Sequence, residues 1–248
     1  MDRLIYTAFT AMDAAMNRQR AVANNLANAS TPGFKAEEFA VTPATLKGDT
    51  LEVRALAQGA VRGANLAAGR ILPTGRNLDI AVEHNALIAL QGRDGEEVYT
   101  RRGDLRITAT GVLENGDGLP VMGEGGAITI PPGGRVSIAG DGGVFVSDPA
   151  AGPGEPAEQV GRIKLVSPEG SAIFKGLDNL LRVPGGGALP VDPTASVRPG
   201  SLEASNVDTA TTLVQMIEAQ RAFEQRSMVI EKAGELDRAS TMLMSLNR

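Results

Sequence analysis

Cysteine and tryptophan are absent from the 248-residue sequence, and histidine occurs once, as His84. The lack of thiols excludes disulfide scaffolds, thiolate zinc sites, iron–sulfur clusters and cysteine nucleophiles. One histidine leaves no room for multi-histidine metal sites, and any hydroxyl nucleophile would have to recruit that same residue. Aromatic residues make up only 3% of the chain, too few for a platform on which nucleic-acid bases could stack. The net charge of -5 argues against a strongly basic surface for nucleic acid or anionic lipid. Long apolar runs are also missing. The Leu4 to Met12 stretch is far short of the roughly 18 residues that a membrane span needs. Asp2 and Asp13 flank it, and Arg3 is the only basic residue before it, so a cleavable secretory signal is not expected.

What is present in quantity is glycine and proline, 30 and 14 residues. Neither G-x-G-x-x-G nor G-x-x-x-x-G-K-[ST] occurs among them. Gly123-Glu124-Gly125-Gly126 and Gly140-Asp141-Gly142-Gly143 lie beside strand-like runs and read as hairpin turns rather than phosphate cradles. Glu37-Glu38 and Glu96-Glu97 are adjacent, so in a strand each pair points to opposite faces and cannot act as an acid–base dyad. No nucleophile elbow or calcium loop appears. The expectation is a protein with no catalytic residues, no metal and no cofactor.

The breakers are unevenly placed. Nearly all lie between Pro32 and Gly200, whereas Arg3 to Asn28 has neither Gly nor Pro, and Val207 to Arg248 has only Gly234. Both ends therefore read as helix. In the first, Ile5, Met12, Gln19 and Leu26 recur every seven residues, Ala8, Ala15 and Val22 fall three after the first three of them, and Phe9, Met16 and Ala23 stand beside these. In the second, Leu213, Met216, Gln220, Phe223, Ser227 and Ile230 form a 3-4 repeat, resumed by Leu236, Ala239, Leu243 and Leu246 after a slip at Gly234. Such seams signal coiled-coil packing, and the slip predicts a local irregularity. Ser205 with Asp208 forms an S-x-x-D capping box, which places the helix start near Asn206.

Between the ends, short runs separated by turn signals predict strands at residues 78–82, 87–91, 97–101, 105–108, 127–130, 135–139, 143–147, 162–166, 172–175 and 180–183, and their spacing suggests an antiparallel sandwich or barrel. Asp148 to Pro156 and Pro184 to Pro193 read as surface loops or flexible excursions. The expected fold class is α+β, with N- and C-terminal helices forming a coiled-coil-like helical domain, and a central all-β domain. The expected divisions are an N-terminal helix and turn at 1–35, an extended connection at 36–75, the β domain at 76–200 and a C-terminal helix at 201–248.

Two end motifs are specific. Asn24-Asn25-Leu26-Ala27-Asn28-Ala29-Ser30-Thr31-Pro32-Gly33-Phe34-Lys35, and Gly200-Ser201-Leu202-Glu203-Ala204-Ser205-Asn206-Val207-Asp208 followed by Met216-Ile217-Glu218-Ala219-Gln220-Arg221-Ala222-Phe223-Glu224, resemble the signatures of the flagellar basal-body rod and hook family. Arg76-Asn77-Leu78-Asp79-Ile80-Ala81-Val82, Tyr99-Thr100-Arg101-Arg102-Gly103-Asp104 and Gly118-Leu119-Pro120-Val121-Met122-Gly123 are similar to its central elements. One departure stands out. The family's glycine-rich G-x-G-[FW]-[FL] segment is Glu83-His84-Asn85-Ala86-Leu87-Ile88 here, so Asn85 is expected to supply the conformation that glycine normally would.

The opening residues and the length look most like the family's proximal-rod members, with the distal-rod members as the alternative. A β-sandwich binding module dimerised by its helical ends is a further, less favoured one. The resemblance implies a structural subunit of the axle that carries torque from motor to hook. It implies export through the flagellar type III apparatus without a cleaved signal and assembly in the periplasm. The expected partners are copies of itself and other rod proteins, with no nucleic acid, small-molecule substrate or membrane span. The expected assembly interface comprises Ile5, Phe9, Met12, Met16, Asn24, Asn25, Leu26, Asn28, Thr31, Gly33 and Phe34 at one end. At the other it comprises Ser205, Asn206, Val207, Leu213, Met216, Ile217, Gln220, Arg221, Phe223, Ile230, Leu236 and Leu243. Asn24 and Asn25 exceed what a helix cap requires and are expected to bond neighbouring subunits.

Overall fold

The computed structural model describes residues 2–45, 55–148 and 156–245. In chain order the elements are α1 (Asp2–Ala27), β1 (Glu37–Thr45), β2 (Ala55–Ala64), β3 (Ile71–Pro73), β4 (Ile80–Val82), β5 (Leu87–Gln91), β6 (Glu97–Thr100), β7 (Arg106–Ile107), β8 (Leu113–Glu114), β9 (Met122–Gly123) and β10 (Gly126–Ala127). They continue with β11 (Arg135–Ile138), β12 (Gly143–Ser147), β13 (Glu158–Arg162), β14 (Leu165–Val166), β15 (Phe174–Lys175), β16 (Leu181–Arg182), β17 (Val197–Pro199), β18 (Ser201–Glu203) and α2 (Thr209–Ser245). The arrangement is mixed α+β, and it divides into two units. A helical unit holds residues 1–27, 37–63 and 208–248, and a β unit holds 28–36 and 64–207.

In the β unit, strands β14-β5-β6-β16-β15 form a five-stranded antiparallel sheet, and β11-β12-β13 a three-stranded one. The two glycine clusters turn hairpins as expected. Gly123 pairs Gly126 across the first, and Gly142 takes a left-handed φ of 82° in the second. Residues 87–90 of β5 have water on neither face. Its Ile88 and Leu90 enter the main core with Ile80, Val82, Leu113 and Val144, while Leu87 and Ala89 enter a second core with Tyr99, Val166 and Leu189. Alternation along one strand thus serves two apolar layers, which explains the unbroken apolar run at 87–90.

The Pro184 to Pro193 stretch is a largely exposed surface loop that is tied down at one point. Leu189 is buried and its backbone N–H donates to the Tyr99 hydroxyl at 2.7 Å, while Ser167 N–H donates to Pro190 O. Proline and glycine set the path of this loop, but one aromatic anchor holds it down. Of the Asp148 to Pro156 loop, residues 149–155 lie outside the described set. Residues 36–75, expected as an extended connection, contain β1 and β2, which pair with each other, and β3, which pairs with β18. The left-handed residue after β4 is His84 (φ 52°), not Asn85. The bend therefore falls one residue earlier than the motif comparison placed it.

In the helical unit, α2 runs for 37 residues, about 55 Å at 1.5 Å per residue. It passes through Gly234 without a break. The backbone does not register the slip in the apolar pattern. The helix begins at Thr209, not near Asn206, because the capping residue is Asp208, whose carboxylate accepts the Thr211 N–H at 2.7 Å. Hydrogen bonds from Thr211 hold that carboxylate below its ordinary range. Ser205 instead accepts the Val207 N–H within the approach to the helix.

Candidate functional site

Helix α1 packs on α2 and on β1, and the seam it makes is built from small residues. Ala14, Ala15, Ala21 and Val22 of α1 and Thr212, Ala219 and Ala233 of α2 are buried. Along α2 the shielded positions include Thr212, Met216, Ala219, Phe223, Arg226, Ile230 and Ala233, a 4-3 repeat, with Ala222 and Gly234 beside it. The expected seam shares Met216, Phe223 and Ile230 with it but is one residue off in the alternate layers. Leu213, Gln220 and Ser227 are exposed, and Thr212, Ala219 and Arg226 take their places. In these layers the shielded residue stands one position before the expected one, so the 3-4 spacing alone does not set the register.

The same shift holds for α1. Met12, Gln19 and Leu26 are half-buried and Ala15 and Val22 buried, but Phe9 is 64% exposed, and Met16 and Ala23 also face outward. The buried stripe broadens on its other side, toward Ala14, Ala21 and Asn25, where β1 contributes. Helix α2 likewise shows Leu213, Val214, Ile217, Met228 and Leu236 at 48–63% exposure, and Arg221 is exposed with them. Ile5 and Leu243 lie within the helices, and their side chains are outside the described set.

Asn24 and Asn25 are both engaged within the unit. The Asn25 side-chain oxygen accepts the Glu37 N–H at 2.8 Å and its amide nitrogen donates to Glu37 O at 3.1 Å. Asn24 donates to the Glu37 carboxylate. A helix side chain thus takes the place of a strand partner at the start of β1.

The remaining motif residues meet inside the β unit. Thr31 N–H and hydroxyl both turn back to Asn28, on its carbonyl and side-chain oxygen. Gly33 has φ 67°, and a Cβ there would lie 2.3 Å from the Arg101 carbonyl, so only glycine fits. Its N–H donates to Glu203 O at 2.7 Å. Phe34 is buried with the Lys175 ammonium 3.5 Å above its ring centre. Asn206 clamps the approach to α2. Its side-chain oxygen accepts the Ala36 N–H, and its amide nitrogen donates to Asn65 O and Ala67 O.

Beneath this junction lies a charge cluster that no spacing rule exposed. Glu203, 1% exposed, takes Lys35 Nζ and the Gly69 N–H on Oε1, at 2.7 and 2.6 Å, and Arg101 Nε on Oε2 at 2.6 Å. Arg101 also donates to Val82 O and His84 O. Burial pushes the Lys35 ammonium below its usual value, against the pull of Glu203. The signal was legible only as three charged residues inside otherwise structural motifs.

Among the described residues no grouping of His, Asp and Glu could hold a metal ion, and no helix is long and apolar enough to cross a membrane. Long terminal helices with exposed apolar residues, and a β unit tied together by its own end segments, are features of a structural subunit. Comparison with known proteins agrees. Residues 5–35 match the family described as flagella basal body rod protein, 198–243 the C-terminal region of the flagellar basal body rod FlgEFG proteins, and 81–146 the D1 domain of the flagellar hook protein FlgE/F/G group. The chain is 37% identical to the flagellar basal-body rod protein FlgF of Salmonella typhimurium LT2 and 38% identical to that of Escherichia coli K12, in both cases over 100% of either chain. To the rod protein FlgG of Bacillus subtilis it is 29% identical, over 95% of this chain and 97% of the other. The chain belongs to the flagellar basal-body rod protein family, and within it is most like FlgF.

Proposed function

We propose that the chain is a structural subunit of the proximal part of the flagellar rod, the axle that carries torque from motor to hook. The higher identity to FlgF than to FlgG supports the proximal assignment. The observation that carries the reading is the exposed apolar face of the terminal helices, with Phe9, Met16, Leu213, Ile217 and Leu236 outward while alanines fill the seam. Copies of the same chain and other rod proteins bury that face, which extends the α1–α2 pair into a larger coiled-coil-like bundle. Export through the type III apparatus without a cleaved signal, followed by assembly in the periplasm, completes the proposal. Its catalytic, cofactor and metal roles are nil.

Complementation of a strain lacking the protein tests this. Ile217→Asp places a carboxylate where an apolar partner is proposed, at a cost of several kcal/mol per contact. Rod assembly and swimming are expected to fail while the purified variant keeps its circular dichroism. Normal flagella in the Ile217→Asp strain would refute the interface.

A further inference from the structure

The residues just after α1 and those just before α2 are far apart in sequence, yet they share one buried carboxylate. Glu203 faces two cations, Lys35 from the N-terminal segment and Arg101 from the middle of the chain. Among the described residues neither cation has another ion-pair partner. Side-chain exposure is 4% for Lys35, 2% for Arg101 and 1% for Glu203, so water cannot stand in for a missing member. Main-chain bonds follow the same route, from Gly33 N–H to Glu203 O and from Asn206 N–H to Phe34 O, and Ala36 N–H reaches the Asn206 side chain.

We propose that Lys35, Arg101 and Glu203 form a completion latch, in which the turn after α1 closes onto the β unit only once the 201–206 segment has docked. Without Glu203 in place, closing the turn would bury two like charges with no counter-charge, which is far costlier than leaving Lys35 in water. The two ends of the subunit therefore order in one step, and a chain lacking its C-terminal segment cannot keep its N-terminal motif folded. The 2:1 ratio of cations to carboxylate makes the latch asymmetric. Loss of Glu203 is severe, whereas loss of Lys35 leaves a neutral Arg101–Glu203 pair.

Amide hydrogen exchange on the full-length chain tests the latch. In Glu203→Gln, exchange at Gly33 and Ala36 is expected to rise by about 100-fold or more, although neither amide bonds the altered side chain. In Lys35→Met the rise should be at least tenfold smaller, and adding Lys35→Met to Glu203→Gln should restore part of the lost protection. Arg198→Gln, which breaks the exposed pair with Glu83, serves as the control and should leave Gly33 and Ala36 unchanged. A rise confined to Gly69, the direct partner of Glu203, would overturn the proposal, as would additive rather than compensating effects in the double variant. Should Glu203→Gln abolish folding outright, the double variant decides: recovery supports the latch and continued failure refutes it.

Discussion

One methyl group at Gly33 probes the junction more sharply than any charge change. In Gly33→Ala the left-handed backbone, φ 67°, costs about 1 kcal/mol for an L side chain. The new Cβ would also stand 2.3 Å from the Arg101 carbonyl carbon and oxygen and 2.4 Å from the Arg102 nitrogen. These are main-chain atoms of the segment leaving β6 and cannot swing aside as a side chain would. Relief requires the turn to lift, at the expense of the 2.7 Å bond from Gly33 N–H to Glu203 O. An orphaned buried donor costs about 1–3 kcal/mol, and overpacking costs a similar amount. The total, about 3–7 kcal/mol, is a large share of the roughly 5–15 kcal/mol that holds a domain together. Gly75→Ala supplies the comparison, since φ is 74° there but nothing lies within 4 Å of the added atom, so only the conformational cost of about 1 kcal/mol remains. Exchange of the β5 and β6 amides under urea reads the β unit alone. If the two variants lose stability equally, steric closure at the junction is not what holds the turn.

Tyr99 links stability to alkaline pH. Burial pushes its phenol up to about 12, against the opposing effect of the Leu189 N–H, whereas an unfolded tyrosine ionises near pH 10. The native state thus holds the proton more tightly. The contribution is complete below about pH 10 and lost as pH rises toward 12, by linkage. Phenolate absorbance in a Tyr6→Phe background measures it, and ionisation at the unfolded value with the fold intact would contradict the burial. Ala219→Leu, at a position 1% exposed, should destabilise the helical unit by about 1–3 kcal/mol through overpacking. Leu213→Ala, on the outward face, should leave it within about 0.5 kcal/mol. Thermal melts at 222 nm compare the two, and equal effects would mean that the seam runs elsewhere.

The terminal helices and most central strands were legible because breaker residues avoid the helices and bracket the strands. β5 and β12 fall within the bounds read from pattern alone. The seam register was not legible. Large apolar residues lie on both faces: Leu213, Ile217 and Leu236 point outward, while Met216, Phe223 and Ile230 share the seam with Thr212, Ala219 and Arg226, so hydrophobic periodicity alone does not set the register. Strands β3 and β18 escaped notice for another reason. Each has three residues, and the pair places Ile71 opposite Glu203 across about 130 positions of chain. No local pattern encodes such a partner. The same distance hid the Lys35–Glu203 contact, although both residues sit in motifs that were recognised for other reasons.

Asn25 carries a consequence for how the chain can vary. It grips the main chain of Glu37 at both N–H and C=O, as a neighbouring strand would, and main-chain groups are the same whatever residue occupies position 37. The Asn25 contact is therefore indifferent to that side chain, proline excepted because proline has no N–H to offer, whereas the Asn24 bond depends on the Glu37 carboxylate. Position 25 has no such latitude, since aspartate lacks the donor and a longer amide misplaces both atoms. Drift is tolerated on one side of the contact and forbidden on the other, so the surface beside β1 can be retuned while the join beneath it stays constant.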